Sequence, residues 1–187
     1  NVAIRNANDA ISMAQTGESA LGKVSDIFQR MRELAVQSTN GTNGPADRVS
    51  LNQEYVQLAQ EATRTLGGTQ FNGINILASA SNQTFQIGAN NSDTLDRITI
   101  GGFDWTANTN PGITDVLGAT VLSGTSVGSY DSATSTYTTG ADAPLNLITD
   151  VTGAKLAITN LDTAINTINS QRATFGAVQN RFENVVS

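Results

Sequence analysis

The sequence predicts a mainly α fold with a small β part (α+β): an elongated antiparallel three-helix rod with a β-hairpin, plus a small variable insert. Both ends of the chain repeat apolar residues at spacings of three and four, which is typical of helices buried along one side. Polar and apolar residues alternate near residues 84–100, which predicts the hairpin. Hydrophobic residues make up 39% of the chain and charged residues 14%, against about 45–50% and about 25% in typical domains. This composition favours a narrow body with small side chains at its contacts.

Residues 1–38 are predicted to form the first long helix. Its buried seam is expected to consist of Ala3, Ala7, Ala10, Ala14, Gly17, Leu21, Val24, Phe28, Met31 and Ala35. Alanine and glycine dominate the first half of this seam, so another helix can approach closely there. At 1.5 Å per residue such a helix spans about 57 Å, which makes the body much longer than it is wide. The Asn, Gly and Pro residues of the segment 38–45 end the helix.

Two further helices complete the predicted rod. The second covers residues 45–66 and is expected to end at Gly67-Gly68, because many helices stop at a residue with positive φ. The last covers residues 144–187, and either Asp142 or Asp150 can serve as its N-cap. Amphipathic helices of this kind depend on packing for their stability. The first helix therefore runs up, the second runs down and the last returns alongside the first.

The middle of the sequence is predicted to hold the β part and the insert. Strands over Thr84–Ile87 and Arg97–Ile100 form the hairpin. The segment 102–141 contains Asp but no Lys or Arg and is rich in Thr, Ser and Gly, which indicates a small β insert or a loop, with Trp105 as its anchor. The predicted domains are a discontinuous rod, 1–101 with 142–187, and a variable surface insert, 102–141.

The composition excludes several classes of site. The chain has no His and no Cys, which excludes a Ser-His-Asp triad, a thiol nucleophile, a disulfide and the usual zinc sites. Its formal net charge of −6 argues against a non-specific nucleic-acid binder. No apolar run approaches the roughly 20 residues that a membrane-spanning helix needs. We therefore expect no enzyme activity, no cofactor, no nucleic-acid partner and no membrane insertion.

Four sequence blocks resemble segments of the bacterial flagellins, and they occur in the same order. The blocks are Arg5–Thr16 (RNANDAISMAQT), Gln29–Ser38 (QRMRELAVQS), Thr69–Gly73 (TQFNG) and Gly176–Phe182 (GAVQNRF). Any one block alone is moderately specific, whereas the four together are highly specific. The resemblance covers roughly residues 1–100 and 142–187.

The resemblance implies a structural subunit of the bacterial flagellar filament, located outside the cell. In this family the helical rod packs neighbouring subunits together, so the implied partners are other flagellin subunits. The resemblance also implies that this chain lacks the two terminal segments that line the filament's inner tube. An export chaperone is a further implied partner, through the missing C-terminal segment. We expect a chain trimmed in this way to stay soluble and not to form filaments.

One further implied partner is Toll-like receptor 5 of an animal host, which recognises the first helix of flagellins and the adjoining second helix. The residues carried over as receptor or protofilament contacts are Gln29, Arg30, Glu33, Leu34, Gln37, Glu54, Phe175 and Arg181. Arg30, Leu34 and Gln37 are spaced by four and three residues, so we expect them to share one helical face. Leu58 stands where some well-recognised flagellins have Arg, which leaves the receptor affinity open.

Two other functions are weighed against this one. A hook–filament junction protein shares helical ends with flagellins but is expected to lack this pairing of sequence blocks. A surface adhesin would use Trp105, Tyr130 and Tyr137 to stack on sugars, although anchoring the insert is the favoured role of these residues. The metalloprotease that some flagellins carry is excluded, because its zinc ligands are His.

Overall fold

A computed structural model of the chain describes residues 2–88, 90, 92, 96–105, 112–122, 130–131, 136–137 and 147–186. Within these residues the fold is mainly helical with a few short antiparallel strands, and the predicted fold class is confirmed. The helices are α1 (Val2–Thr39), α2 (Pro45–Gly68), α3 (Ile113–Leu122) and α4 (Val151–Val186).

The main interface of the molecule runs between α1 and α4, which lie antiparallel. Arg32 near the end of α1 pairs with Asp162 at 2.6 Å. Closer to the start of α1, Glu18 accepts a hydrogen bond from Gln179 at 2.9 Å, so residue numbers rise along α4 as they fall along α1. The seam predicted for α1 is buried from its second member, at position 7, to its last, at position 35. These buried residues are the contacts that hold the rod together.

The second helix begins at Pro45, as predicted, but continues through Gly67 and Gly68. The expectation of a positive φ at these glycines is wrong. The next residue, Thr69, has an extended backbone with φ −75°. Side chains supply the reason: Asn75 Nδ2 donates to the carbonyl oxygen of Gly67, and the Thr69 hydroxyl donates to that of Thr65. These bonds satisfy carbonyl groups that a left-handed residue otherwise caps.

Short antiparallel strand pairs make up the β part of the described chain. They are β1 (Gln70–Phe71) with β2 (Ile74–Asn75), β3 (Ala78–Ser79) with β6 (Phe103–Asp104), β4 (Gln83–Gln86) with β5 (Arg97–Ile100), and β7 (Tyr130–Asp131) with β8 (Thr136–Tyr137). The pair β4–β5 confirms the predicted hairpin. Between β1 and β2, Asn72 and Gly73 have φ values of 50° and 78°, as a two-residue hairpin turn requires.

The insert contributes α3, a helix that the sequence analysis did not predict. Its residues Ile113, Val116 and Leu117 are fully buried, and the helix packs against α2 and α4. Trp105 is 3% exposed and belongs to the same core, which confirms its role as an anchor. The described start of the insert is therefore part of the common core. The division into rod and insert stays a prediction, since most of the residues between 123 and 146 lie outside the described part of the chain.

The start of α4 is fixed by hydrogen bonds from several segments. Helix α4 begins at Val151 and not at residue 144, which corrects the predicted start. Asp150 is its N-cap, one of the two predicted residues, because its carboxylate accepts the N–H of Gly153 at 2.8 Å; Asp142 lies outside the described residues. Just before the helix, the carbonyl oxygen of Ile148 accepts the hydroxyl of Ser38 at 2.5 Å. The N–H of Ile148 donates to Oδ1 of Asn52 at 3.0 Å. We call this buried group of Ser38, Asn52 and the Ile148 backbone the Ile148 clamp; it joins all three long helices.

Candidate interaction surface

Most predicted contact residues of α1 lie on its exposed face. The exposed members are Gln29, Arg30, Glu33 and Gln37. At about 100° per residue, Gln37 lies only about 20° from Arg30 around the helix axis. The structure therefore brings these two residues to one face, as the spacing predicts. Glu54 of α2 is half-buried and lies beside them.

Arg30 is the centre of an ion-pair network between α1 and α2. Its Nε and Nη2 donate to one carboxylate oxygen of Glu54, at 2.9 and 2.7 Å, and its Nη1 donates to Glu33 at 3.0 Å. The pKa of Arg30 is raised, chiefly by the hydrogen bond to Glu54 and next by the one to Glu33. These bonds use three of the five N–H donors of a guanidinium group. Because the group is already held in place, a partner that binds the other two does not bear the full entropy cost of ordering the side chain.

Leu34 does not belong to this exposed surface, although it was predicted to share one helical face with Arg30 and Gln37. Its side chain is only 1% exposed. At about 100° per residue, Leu34 lies about 40° from Arg30, on the side of the buried Met31. Residues four apart lie close together around the helix, yet the offset of about 40° is enough to place Leu34 in the core.

The two predicted contacts on α4 are not brought to Arg30 either. Phe175 is 1% exposed, and its ring covers Gly17 in the first half of α1. Arg181 is exposed, but it lies 19 positions beyond Asp162, the residue that pairs with Arg32. At 1.5 Å per residue this is about 29 Å along α4. Phe175 is therefore a core residue, and Arg181 belongs to a different part of the surface.

One ion pair close to Arg30 was not predicted from the sequence. Arg32 Nε donates to Asp162 at 2.6 Å, and both side chains are about half exposed. The pKa of Arg32 is raised, chiefly by this hydrogen bond. The two residues are 130 positions apart in sequence, so no spacing pattern could have revealed the pair; only the register of α4 on α1 places them together.

A separate polar groove with a volume of 820 Å³ lies between α1 and the end of α2. Hydroxyl and amide side chains line it together with Lys23, Glu61 and Arg64. Arg64 pairs with Glu61 and lowers the pKa of that carboxyl, chiefly through their hydrogen bond. Across the described ranges, no cluster of three or more acidic, His or Cys side chains could hold a metal ion. The helices described here also include none that is both long and apolar enough to cross a membrane.

The adhesin interpretation depends on three aromatic residues of the insert. The burial of Trp105 removes its ring from contact with a sugar. Tyr130 and Tyr137 are directly paired across β7 and β8, but their side chains lie outside what the structure describes. Of these three side chains the structure describes only that of Trp105, and its burial does not favour sugar stacking.

Comparisons with known proteins give one consistent result at the sequence level. The family profile "Bacterial flagellin N-terminal helical region" matches residues 1–82. A flagellin of Salmonella muenchen is 51% identical over 94 residues, which are 50% of this chain but only 19% of that relative. Polar flagellin F of Vibrio parahaemolyticus is 31% identical in an alignment that covers 100% of this chain and 69% of the relative.

The fold comparison agrees with the sequence comparison. The crystal structure of Bacillus cereus flagellin superposes with a TM-score of 0.71 at 32% sequence identity. The match covers 100% of this chain and 89% of that one. The likeness therefore extends over the entire chain in both sequence and fold.

Proposed function

The chain belongs to the bacterial flagellin family, and on this premise we propose that it is a structural subunit of the extracellular flagellar filament. Flagellins are structural proteins and not enzymes, so the proposal assigns no catalytic residue. The observation that carries it is the similarity to polar flagellin F over the full length of this chain. The proposed partners are further copies of the same subunit.

The shape and surface of the rod support this function. A filament subunit has to present contacts to neighbours on several sides while its own axis stays stiff. Helix α1 alone has 38 residues and spans about 57 Å, and α4 runs antiparallel to it along the seam. Within the described part of the chain, the large apolar side chains that are exposed are Val2, Ile4, Val36, Ile74 and Leu156. Contacts between such rods would therefore be largely polar.

Immunogold electron microscopy of the bacterium that produces the protein tests the proposal. Antibodies raised against this chain are expected to label flagellar filaments along their whole length. A strain in which the gene is deleted is the control, and it should lose both the labelling and the filament. Labelling confined to the junction between hook and filament would instead support the hook–filament junction function. Labelling of the cell body alone would contradict both.

We further propose that Gln29, Arg30, Glu33, Gln37 and Glu54 form a contact surface for Toll-like receptor 5, which can also serve as a contact between subunits. The specific observation in favour is the hydrogen-bonded and half-exposed guanidinium of Arg30. Arg is enriched among the residues that dominate binding energy at interfaces. Its planar group also recognises carboxylates and carbonyls through paired hydrogen bonds. The predicted contact at Arg181 stays a separate proposal, because that residue lies far along α4.

Binding to the isolated receptor ectodomain tests this surface. Arg30→Ala is expected to weaken binding about 30-fold, as truncation of a dominant interface residue costs about 2 kcal/mol or more. Arg64→Ala is the matched control, because Arg64 is also exposed and paired with a glutamate on its own helix but lies at the polar groove. Equal losses of affinity in both variants would indicate that binding depends on the overall charge of the chain and not on the position of Arg30. Unchanged binding of Arg30→Ala would remove Arg30 from the proposed surface.

A further inference from the structure

Three Asn-Gly dipeptides occur in the chain and lie outside its helices and strands. They are Asn40-Gly41, Asn43-Gly44 and Asn72-Gly73. In an Asn-Gly sequence the backbone nitrogen of glycine can attack the side-chain amide of asparagine, because glycine has no Cβ to hinder the approach. The three dipeptides are chemically alike, so any difference in their reactivity must come from the fold.

We propose that Asn72 is the preferred site of spontaneous deamidation and isomerisation among these three, and that the fold protects Asn43. The backbone nitrogen of Gly73 forms a bond with Cγ of Asn72, and the Cγ–Nδ2 bond breaks. The amide nitrogen leaves as ammonia, which takes up the proton lost from the Gly73 nitrogen, and a cyclic succinimide is formed. Water then opens the ring at either carbonyl, which gives aspartate or isoaspartate. The net reaction consumes one water molecule, releases one ammonia and adds one negative charge to the chain.

The turn between β1 and β2 leaves the reacting groups of Asn72 accessible. Both Asn72 and Gly73 are exposed, and apart from Gly73 and its two chain neighbours no residue has an atom within 4 Å of the position that a Cβ of Gly73 would occupy. The cross-strand pair that closes the turn is Phe71 with Ile74. Within the described residues, no hydrogen bond engages the N–H of Gly73. Its nitrogen can therefore lose a proton and attack without first breaking a bond.

The surroundings of Asn43 have the opposite effect. Its Nδ2, the group that has to leave, donates to the carbonyl oxygen of Gln37 at 2.6 Å. The N–H of Gly44, which would supply the nucleophile, donates to Oδ2 of Asp47 at 3.0 Å. A hydrogen bond to a carboxylate stabilises the protonated form of the donor, so the nitrogen loses its proton less readily. Both reacting groups are also half-buried.

Asn40 has an intermediate environment. Its Oδ1 accepts the N–H of Thr42 at 3.2 Å, which holds the side chain in a local turn. The following Gly41 is exposed and has no atom near its Cβ position. The side chain is thus held but the nucleophile is accessible. The expected order of reaction is Asn72, then Asn40, then Asn43.

Isomerisation at Asn72 would change the structure where it occurs. Isoaspartate adds one carbon to the backbone, and a two-residue hairpin turn has no room for it without loss of the Phe71–Ile74 pair. The damage should stay local, because Asn75 remains anchored: its Nδ2 donates to the Gly67 carbonyl and its Oδ1 accepts the N–H groups of Leu77 and Ala78. Accumulated isoaspartate would therefore mark the age of a chain without unfolding it.

Peptide mapping by mass spectrometry tests the proposed order in the folded protein. The chain is incubated at mildly alkaline pH, and conversion at each dipeptide is followed over time. We expect Asn72 to convert about tenfold faster than Asn43 or more, since hydrogen bonds to charged groups typically alter equilibria by such a factor or more. The control is the same chain in concentrated urea, where the three rates should converge. Similar rates at Asn43 and Asn72 in the folded chain, or no conversion at Asn72 while the unfolded chain reacts, would overturn the proposal.

The variant Asp47→Ala tests the protective contact directly. It removes the acceptor of the Gly44 N–H, so conversion at Asn43 is expected to accelerate about tenfold while the rate at Asn72 stays unchanged. Asp47 is exposed, and circular dichroism can verify that the variant keeps its helices. An unchanged rate at Asn43 in a folded Asp47→Ala chain would contradict the assigned protection.

Discussion

At the scale of single residues, Tyr55 combines deep burial with a hydroxyl that has no partner. The side chain is fully buried, and no hydrogen bond to its oxygen is found within the described residues. A buried polar atom without a partner costs about 1–3 kcal/mol. We expect Tyr55→Phe to raise the free energy of unfolding by about 1 kcal/mol, measured by denaturant titration. A loss of stability of that size would instead indicate that a buried water molecule binds the hydroxyl.

Tyr55 also predicts a specific response to alkaline pH. Burial raises its pKa above the ordinary value of 10.0, so the folded chain holds the phenolic proton more tightly than the unfolded chain does. This contribution to stability is complete below a pH of about 10 and is lost as the pH rises further. Between that pH and the raised pKa of the folded chain, the free energy of unfolding should fall by about 1.4 kcal/mol per pH unit on account of this residue. Tyr55→Phe should remove that part of the slope; identical slopes in both proteins would refute the assignment.

Gly17 and Gly22 of α1 offer a matched test of close packing at the seam. A Cβ at Gly17 would lie 3.1 Å from two ring atoms of Phe175, whereas one at Gly22 meets nothing within 4 Å. Alanine favours a helix interior over glycine by about 1 kcal/mol, but overpacking a core costs about 1–3 kcal/mol. We expect Gly22→Ala to raise the free energy of unfolding. The Gly17→Ala variant should have a free energy of unfolding about 1–3 kcal/mol below that of the Gly22→Ala variant. Thermal unfolding of both variants measures the difference, and equal stabilities would mean that the ring moves aside freely.

At the scale of elements, the Ile148 clamp sets where α4 begins. Asn52→Leu keeps most of the side-chain volume but leaves the buried N–H of Ile148 without an acceptor. We expect a loss of about 1–3 kcal/mol in the free energy of unfolding. Hydrogen exchange should increase most over residues 147–154 and least over the β4–β5 hairpin. Gln53→Leu is the control, because Gln53 is exposed on the same helix and such substitutions usually change stability by less than about 0.5 kcal/mol.

The pattern of hydrogen exchange decides whether the clamp acts locally. Ser38 and Asn52 form their hydrogen bonds with the backbone of Ile148. Their loss should therefore release the segment that leads into α4 before it loosens the seam with α1. A uniform increase along all three helices would show that the clamp contributes only to global stability. An unchanged exchange rate near residue 148 would show that the clamp bonds do not fix this segment.

The elements that sequence reasoning predicted are those with a long periodic pattern. Helices α1, α2 and α4 carry apolar residues at helical spacing over many turns, and the β4–β5 hairpin alternates over its full length. Helix α3 was missed although Ile113, Val116 and Leu117 have the helical spacing of three and one. Three residues within a Thr-, Ser- and Gly-rich stretch are too short a pattern to distinguish a helix from a loop. The C-terminal end of α2 was misjudged because one of its capping groups is the side chain of Asn75, which lies beyond the helix.

At the scale of the whole molecule, the candidate surface was predicted only in part, for a geometric reason. Helical spacing correctly gave the shared face of Arg30 and Gln37. It could not give the burial of Leu34, because the edge of the buried stripe depends on where α2 and α4 pack. The contacts of Arg30 with Glu54 and of Arg32 with Asp162 depend likewise on the register between helices. Register is a property of the assembled rod and cannot be obtained from the pattern of one helix.

The length of the rod leads to a prediction that small-angle X-ray scattering can test. A compact chain of 187 residues has a radius of gyration of about 16 Å, which corresponds to a sphere about 42 Å across. Helix α1 has 38 residues without a break and spans about 57 Å on its own. We therefore expect a maximum dimension above about 57 Å, with the profile of an elongated particle.

Self-association would also lengthen the scattering particle, so the measurement needs a concentration series extrapolated to infinite dilution. A maximum dimension that stays above the length of α1 in that limit belongs to the single chain. A value near that of the sphere would mean that α1 folds back on itself in solution. Such a break would separate Glu18 from Gln179 or Arg32 from Asp162, because these two pairs lie along one continuous seam. The same outcome would remove the stiff axis on which the proposed filament function rests.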